Sequence, residues 1–291
     1  MTQKDYLEDL FPTGKLLPHK KIEKGTVLLP LRDGTWLSLE QDSLTARERY
    51  LLQCLAEDSE SLSDNPWSYF LHEKGMLPHA IDNLQAVHVH IWSELDLDTD
   101  GRESWLDMMT ALLPNQFTVF QLTSKDYVFL LEQRPLLDVG DVLADTLSAM
   151  EIDFGLRLTV FLGQLWPKHV IAHWPQLFQA ERELFAQWLE KNSQICLLTF
   201  SQLYLWSGQT HVLLDSSLQS LLDHQQLEEV IIALWQAGAV LTKAAQTLYI
   251  HRNTLQYRLE KWYDWTGLQL KDLTDLTLCY TILLRHSLFR S

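Results

Sequence analysis

The chain has 291 residues, 46% of them hydrophobic and 21% charged, and a formal net charge of −15. That balance is ordinary for well-packed soluble material, and the length gives room for two domains, or two with a small appendage. No run of 18 apolar residues occurs, since Lys168, His169, Arg285 and His286 interrupt the richest stretches, so a membrane span is excluded. The opening Met1-Thr-Gln-Lys-Asp5 has no apolar core of the kind a signal peptide needs. Cys54, Cys196 and Cys279 are scattered in apolar surroundings with no metal-ligand spacing, which fits a reducing cytoplasm. Residues 1–24 read as a polar, loosely docked arm. Val27–Arg32 and Thr35–Leu39 flank Asp33-Gly34, the dipeptide that best suits a two-residue hairpin turn. A helix follows over Leu44–Leu55, with Thr45 and Glu48 spaced as a capping box. An acidic, Ser-rich loop runs over Asp58–Asp64, and Trp67–Leu84 forms a helical or irregular connector bounded by Pro66 and Pro78. Residues 1–84 therefore read as a small N-terminal hairpin-helix module.

Residues 85–206 alternate strand and helix patterns. Ala86–Trp92 places Val87, Val89 and Ile91 on one face of a strand. A helix is predicted over Arg102–Leu113, strands over Phe117–Leu122 and Tyr127–Leu131, and a second helix over Val139–Met150. A strand over Leu156–Leu162, a long helix over Ile171–Lys191 offset at Pro175, and a strand over Ile195–Phe200 complete the set. This β-α-β-β-α-β-α-β order is that of a ferredoxin-like or nucleotide-cyclase-like sheet. Residues 207–226 read as a linker with a helical lead.

Several constellations invite a chemical reading. Asp96-x-Asp98-x-Asp100-Gly101 puts hard oxygen ligands at alternate positions, as calcium requires. Yet Glu103 and Asp107 stand where an EF-hand wants an apolar residue and a bidentate Glu, and an acidic strand-to-helix loop capped by Asp100 and Glu103 explains the same letters. His88 and His90 share a strand face with His72 and His79 nearby, but no carboxylate or Cys completes a zinc spacing, so a solvated or partner-facing strand is favoured. His169 and His173 stand one helical turn apart, where packing or an effector pocket would use them. There is no Gly-rich phosphate loop, no Gly-x-Ser-x-Gly and no HExxH. Neither an enzyme nor a cofactor is expected.

The most informative stretch is Thr242–Trp262. Thr242 can cap a helix carrying Ala244, Ala245 and Leu248 on its inner side. Tyr249 and Ile250 fall in a short break, and a second helix opens near His251 or Arg252. Leu255, Leu259 and Trp262 then recur at spacings of four and three as one apolar stripe. The small Ala244-Ala245 pair lets two helices approach closely at a steep angle, as a helix-turn-helix requires. Arg, Asn and Gln near the start of the second helix can pair bidentately with guanine or adenine in the major groove. An ordinary helical hairpin with solvated charges would share the spacing.

The run Gln246–Leu259, with its His251-Arg-Asn-Thr-Leu-x-Tyr-Arg-Leu259 core, resembles the C-terminal helix-turn-helix of PucR/CdaR-type regulators. The similarity covers roughly residues 226–289 and continues through Thr266-Gly267-Leu268-x-Leu270. The same resemblance extends to the degenerate GGDEF-like domain that precedes the helix-turn-helix in that family. Where an active cyclase carries Gly-Gly-Asp/Glu-Glu-Phe, this chain has Thr123-Ser-Lys-Asp-Tyr127, so cyclase chemistry is not expected. The implied architecture is α+β: residues 85–206 as a ferredoxin/GGDEF-like mixed sheet, 207–226 as linker, and 227–291 as an all-α helix-turn-helix domain.

Charge is distributed to suit this division. Residues 1–226 hold 16 Lys and Arg against 32 Asp and Glu, whereas residues 227–291 hold 7 against 6. An acidic body repels a duplex and keeps non-specific affinity low, which argues for a homodimer or higher oligomer to gain affinity. The resemblance and the geometry together nominate Arg252, Asn253 and Gln256 as base readers. Thr254, Tyr257, Arg258 and Lys261 would contact phosphates, with Thr242 or Lys243 from the preceding helix and His251 at the helix start. The expected partners are double-stranded DNA, a second copy of the chain and a small-molecule effector, with no membrane. A non-catalytic protein-interaction module that has lost DNA binding is the alternative reading, and the nearly neutral reading head favours it slightly.

Overall fold

The computed structural model describes residues 14–17, 26–30, 36–40, 43–45, 48, 65–92, 99–113, 115–133, 139–225 and 227–289. The chain separates into two units, residues 1–63 with 121–124, and residues 64–120 with 125–291. The first contains a sheet of three strands, β1 (Lys15–Leu17), β2 (Thr26–Pro30) and β3 (Trp36–Glu40), in the order β1-β3-β2. Strands β2 and β3 pair antiparallel from Thr26↔Glu40 to Pro30↔Trp36, as a hairpin requires, while the Asp33-Gly34 turn lies outside the described residues. Leu37 and Leu39 are buried on the central strand. The Thr45–Glu48 capping box forms as expected: the Thr45 N–H donates to Glu48 Oε2 at 2.9 Å, and the Glu48 N–H donates to Thr45 Oγ1 at 3.2 Å. The rest of that helix and the acidic 58–64 loop fall outside the described residues.

In the second unit, α1 (Pro66–Leu71) starts where the Asn65 side chain accepts from the Trp67 N–H at 2.9 Å and Pro66 supplies a fixed φ. Then come β4 (Asn83–Ile91), α2 (Thr99–Leu112), β5 (Gln116–Gln121), β6 (Asp126–Leu131), α3 (Val139–Phe154), β7 (Leu158–Leu162) and β8 (Trp166–Pro167). A 3-10 turn, Lys168–His173, leads into α4 (Trp174–Lys191), followed by β9 (Cys196–Thr199). The strand order is β5-β6-β4-β7-β9, with β8 pairing the start of β4. Strand β4 runs antiparallel to both β6 and β7, and β9 is parallel to β7 across the α4 crossover. The expected mixed sheet is therefore present.

Both faces of β4 are covered. Val87, Val89 and Ile91 join Tyr127, Phe129, Leu131, Leu158 and Val160 against Trp105 and Met109 of α2 and Leu143, Leu147 and Met150 of α3. His88 points the other way, and this corrects the expectation of a solvated or partner-facing strand. It is 3% exposed, stacked between Phe161 and Phe178 at centroid distances of 5.3 and 5.4 Å. A central strand with helices on both sides leaves no wet face. His90, at the strand end, is half-buried with Nδ1 at 2.7 Å from Asp126 Oδ1. Among the described residues no cluster of three or more metal-ligating side chains occurs, and the Asp96–Asp98 part of the acidic loop lies outside them.

The remainder is helical: α5 (Phe200–Ser207), α6 (Val212–Gln225), α7 (Glu228–Gln236), α8 (Leu241–Thr247), α9 (Arg252–Thr266) and α10 (Leu273–Phe289). The expected linker at 207–226 is instead mostly the packed helix α6, which buries Leu214, Leu218, Leu221 and Leu222. Its leucine spacing of four, three and one is that of a core-facing stripe, and each such side chain contributes roughly 1.5–3 kcal/mol. The boundaries anticipated at 84 and 206 both fall inside the second unit.

Candidate nucleic-acid interface

Helices α8 and α9 form the helix-turn-helix. Ala244 and Ala245 are buried on α8, and Leu255, Leu259, Trp262 and Thr266 are buried along α9, as the apolar stripe predicts. Helix α8 does not start on a Thr242 cap. Its N-cap is Val240, with no side-chain hydrogen bond, because Gly238 and Ala239 both turn at φ 61° and begin the helix at Leu241. Thr242 and Lys243 are exposed in its first turn.

Helix α9 opens on His251, whose Nδ1 accepts from the Asn253 N–H at 3.2 Å. That bond leaves Nε2 as the donor of the neutral ring. His251 is thus the N-cap of α9. His251, Arg252, Asn253, Thr254, Tyr257 and Lys261 are exposed, and Gln256 and Arg258 are half-buried. At about 100° per residue, Asn253, Tyr257 and Lys261 point away from the buried seam, while Arg252 and Gln256 flank them on one side and Arg258 on the other. Lys261 Nζ lies 4.8 Å from the Tyr257 ring centre, and its hydrogen bond with Tyr257 holds the ammonium pKa above the usual lysine value. Gln256 donates to Glu260 Oε1 at 2.9 Å, so a base contact by Gln256 requires that bond to open or share. The ten nominated residues thus lie together on α8, α9 and the turn between them.

The rear of α9 is tied to the sheet half of the same unit, which sequence patterns did not reveal. Gln164, after β7, donates from Nε2 to the Thr266 carbonyl at 2.5 Å. Gln164 is itself held by Glu181 of α4, whose Oε1 accepts from the Gln164 N–H at 3.0 Å and from Trp166 Nε1 at 2.8 Å. Trp265 stacks on His169 and His224, with centroids 5.1 and 4.9 Å away. Ser201 of α5 donates to Asp275 Oδ1 at 2.6 Å, and Arg285 of α10 bridges Tyr204 at 2.7 Å and Asp215 at 3.1 Å. Burial raises the pKa of Asp275, opposed by its bonds to Ser201 and to the Gln269 N–H. Beside Gln164, Ser201, Gln269 and Asp275 lies a cavity of about 360 Å³. These contacts have no local sequence signature: Gln164 and Thr266, Ser201 and Asp275, and Arg285 with Tyr204 and Asp215 lie far apart in the chain, His224 stands on a helix that reads as linker, and Glu181 reaches Gln164 and Trp166 only once α4 packs on the sheet.

Comparison with known proteins agrees with this geometry. Residues 227–284 match the PucR C-terminal helix-turn-helix domain. The C-terminal part of the chain is therefore a helix-turn-helix domain of the PucR type, a DNA-binding module. The chain is 29% identical to a "Leucine-rich protein" of Streptococcus dysgalactiae subsp. equisimilis, over 96% of this chain and 99% of that one. It is 22% identical to the Bacillus subtilis (strain 168) protein YxkF, over 86% and 88% of the two chains. The crystal structure of a regulator of polyketide synthase expression from Bifidobacterium adolescentis is 16% identical with a TM-score of 0.33, covering 84% of this chain and 94% of that one. No helix among the described residues is long and apolar enough to cross a membrane.

Proposed function

We propose that the protein reads a specific DNA sequence with α9 in the major groove, acts as a homodimer or higher oligomer in the cytoplasm, and is modulated by a small metabolite. The observation that carries the reading is the exposed row on α9: Arg252, Asn253 and Thr254 at its N-terminal end, continuing to Tyr257 and Lys261, over a fully buried Leu255–Leu259–Trp262 seam. Recognition helices present base-reading side chains from their first turns in this way. Arg252, Asn253 and Gln256 are the base readers, and Thr242, Lys243, His251, Thr254, Tyr257, Arg258 and Lys261 position the phosphates. The sheet half is a degenerate, ferredoxin/GGDEF-like relay without catalysis. The cavity beside Asp275 supports a metabolite acting there, because its walls include Gln269, just beyond the end of α9. Residues 1–84, 85–206, 207–226 and 227–291 remain the proposed functional divisions.

The test is fluorescence anisotropy with duplex DNA from upstream of the protein's own gene. Arg252→Ala is expected to lose roughly 1–3 kcal/mol of specific binding and to relax preference at one base position. Unchanged affinity in a folded Arg252→Ala protein would remove α9 as the reading helix and favour the interaction-module alternative.

A further inference from the structure

Helix α8 ends in a way that sets it apart from its neighbours. The Ile250 N–H donates to the Ala245 carbonyl at 3.0 Å and the Tyr249 N–H to the Gln246 carbonyl at 3.1 Å, the paired bonds of a Schellman cap. The residue in the left-handed position is Tyr249, at φ 55°. Three other helices fill the equivalent position with glycine, Gly208 after α5 at φ 62°, Gly238 after α7 at φ 61° and Gly267 after α9 at φ 71°, and α1 fills it with Glu73 at φ 59°. A side chain there costs on the order of 1 kcal/mol against glycine, and an aromatic ring has no local hydrogen bond to offset it, as Asn would. Nor does burial compensate. Tyr249 is 97% exposed, the most exposed large side chain among the described apolar and aromatic residues. The chain thus holds a strained aromatic residue in the turn of its helix-turn-helix with no internal contact to account for it.

We infer that Tyr249 is a DNA-contacting residue, packing its ring on the sugar-phosphate backbone and donating its hydroxyl to a phosphate beside the groove that α9 enters. This rests on the proposed reading by α9. The turn leads directly into His251, Arg252 and Thr254, all exposed, and Lys243 is exposed on the helix before it, so Tyr249 stands between cationic positions. Tyrosine pairs an apolar ring with a donor, which suits a deoxyribose next to a phosphate oxygen. A backbone contact of this kind adds affinity without adding sequence preference.

Tyr249→Gly removes the ring and relieves the strain together. The expected result is a melting temperature equal to or above that of the parent, and a loss of about tenfold in affinity for upstream and scrambled duplexes alike. No loss on either duplex, or a loss confined to the upstream sequence, would overturn the backbone assignment. So would a lowered melting temperature, or a changed mass in sedimentation without DNA, which would make the ring a fold or subunit contact. Arg252→Ala measured alongside separates the two claims. Weakened binding there with intact binding in Tyr249→Gly would sink this inference alone, and intact binding in both would sink the reading it rests on.

Discussion

His251 has one task in the fold and, under the proposed reading, a second at the DNA. Its ring caps α9 by accepting the Asn253 N–H, and its exposed position at the helix start brings it next to Arg252 and Thr254. A lost N-cap costs roughly 0.5–2 kcal/mol, so His251→Ala is expected to lower stability to urea by about that amount. His251→Asp restores an oxygen acceptor and should recover the stability, while its negative charge weakens DNA binding. Parallel unfolding curves and anisotropy check this; recovery of both properties in the Asp variant would show that the imidazole contributes only the cap. Much of this was legible in the letters, because hydrophobic periodicity and the His-Arg-Asn-Thr run are local features. The identity of the cap was not. A histidine nitrogen serves as readily as an Asn oxygen, and two positive-φ residues, Gly238 and Ala239, moved the start of α8 away from Thr242.

At the scale of elements, the contact between β7 and α4 shows how close packing supports the end of α9. Gly163 follows β7, and a Cβ there would fall 2.4 Å from Glu181 Oε2 and 2.8 Å from the Ala86 carbonyl. Neither neighbour has room to move, since Glu181 is 1% exposed and Ala86 belongs to the central strand. Gly163→Ala is therefore expected to destabilise the fold by about 1–3 kcal/mol, the usual cost of overpacking. It should also raise hydrogen exchange at the end of α9, because Glu181 holds Gln164 and Gln164 holds the Thr266 carbonyl. Stability lost without any change at α9 would show that the two are independent. Alternation of strand and helix in the sequence foretold the sheet, whereas the packing of α6 did not announce itself. Four leucines in a polar Ser- and Gln-rich stretch read as linker until other helices supply the surface they bury against.

In the second unit taken whole, the sheet half and α9 meet in a stack of rings formed by His169, His224 and Trp265. Burial lowers the pKa of His169 below the usual histidine value of 6.5, and the neighbouring His224 lowers it further. The folded state therefore prefers the neutral ring. The stability this gives is present above the ordinary histidine pKa and is lost as pH falls through the lowered value. An NMR titration is expected to place His169 below 6.5, with Trp265→Leu returning it toward the ordinary value. A normal titration in the parent protein would mean the stack does not persist in solution. Charge sets the remaining behaviour. The chain carries 16 basic against 32 acidic residues before position 227 and 7 against 6 from there on, so under the proposed reading contact with a polyanion rests on a few side chains of α8 and α9. The most direct measurement is an anisotropy titration against upstream and scrambled duplexes of equal length at two salt concentrations. The account predicts tight binding to the upstream duplex that weakens steeply with salt, and much weaker binding to the scrambled one. Equal affinity for the two sequences at both salt concentrations would contradict it.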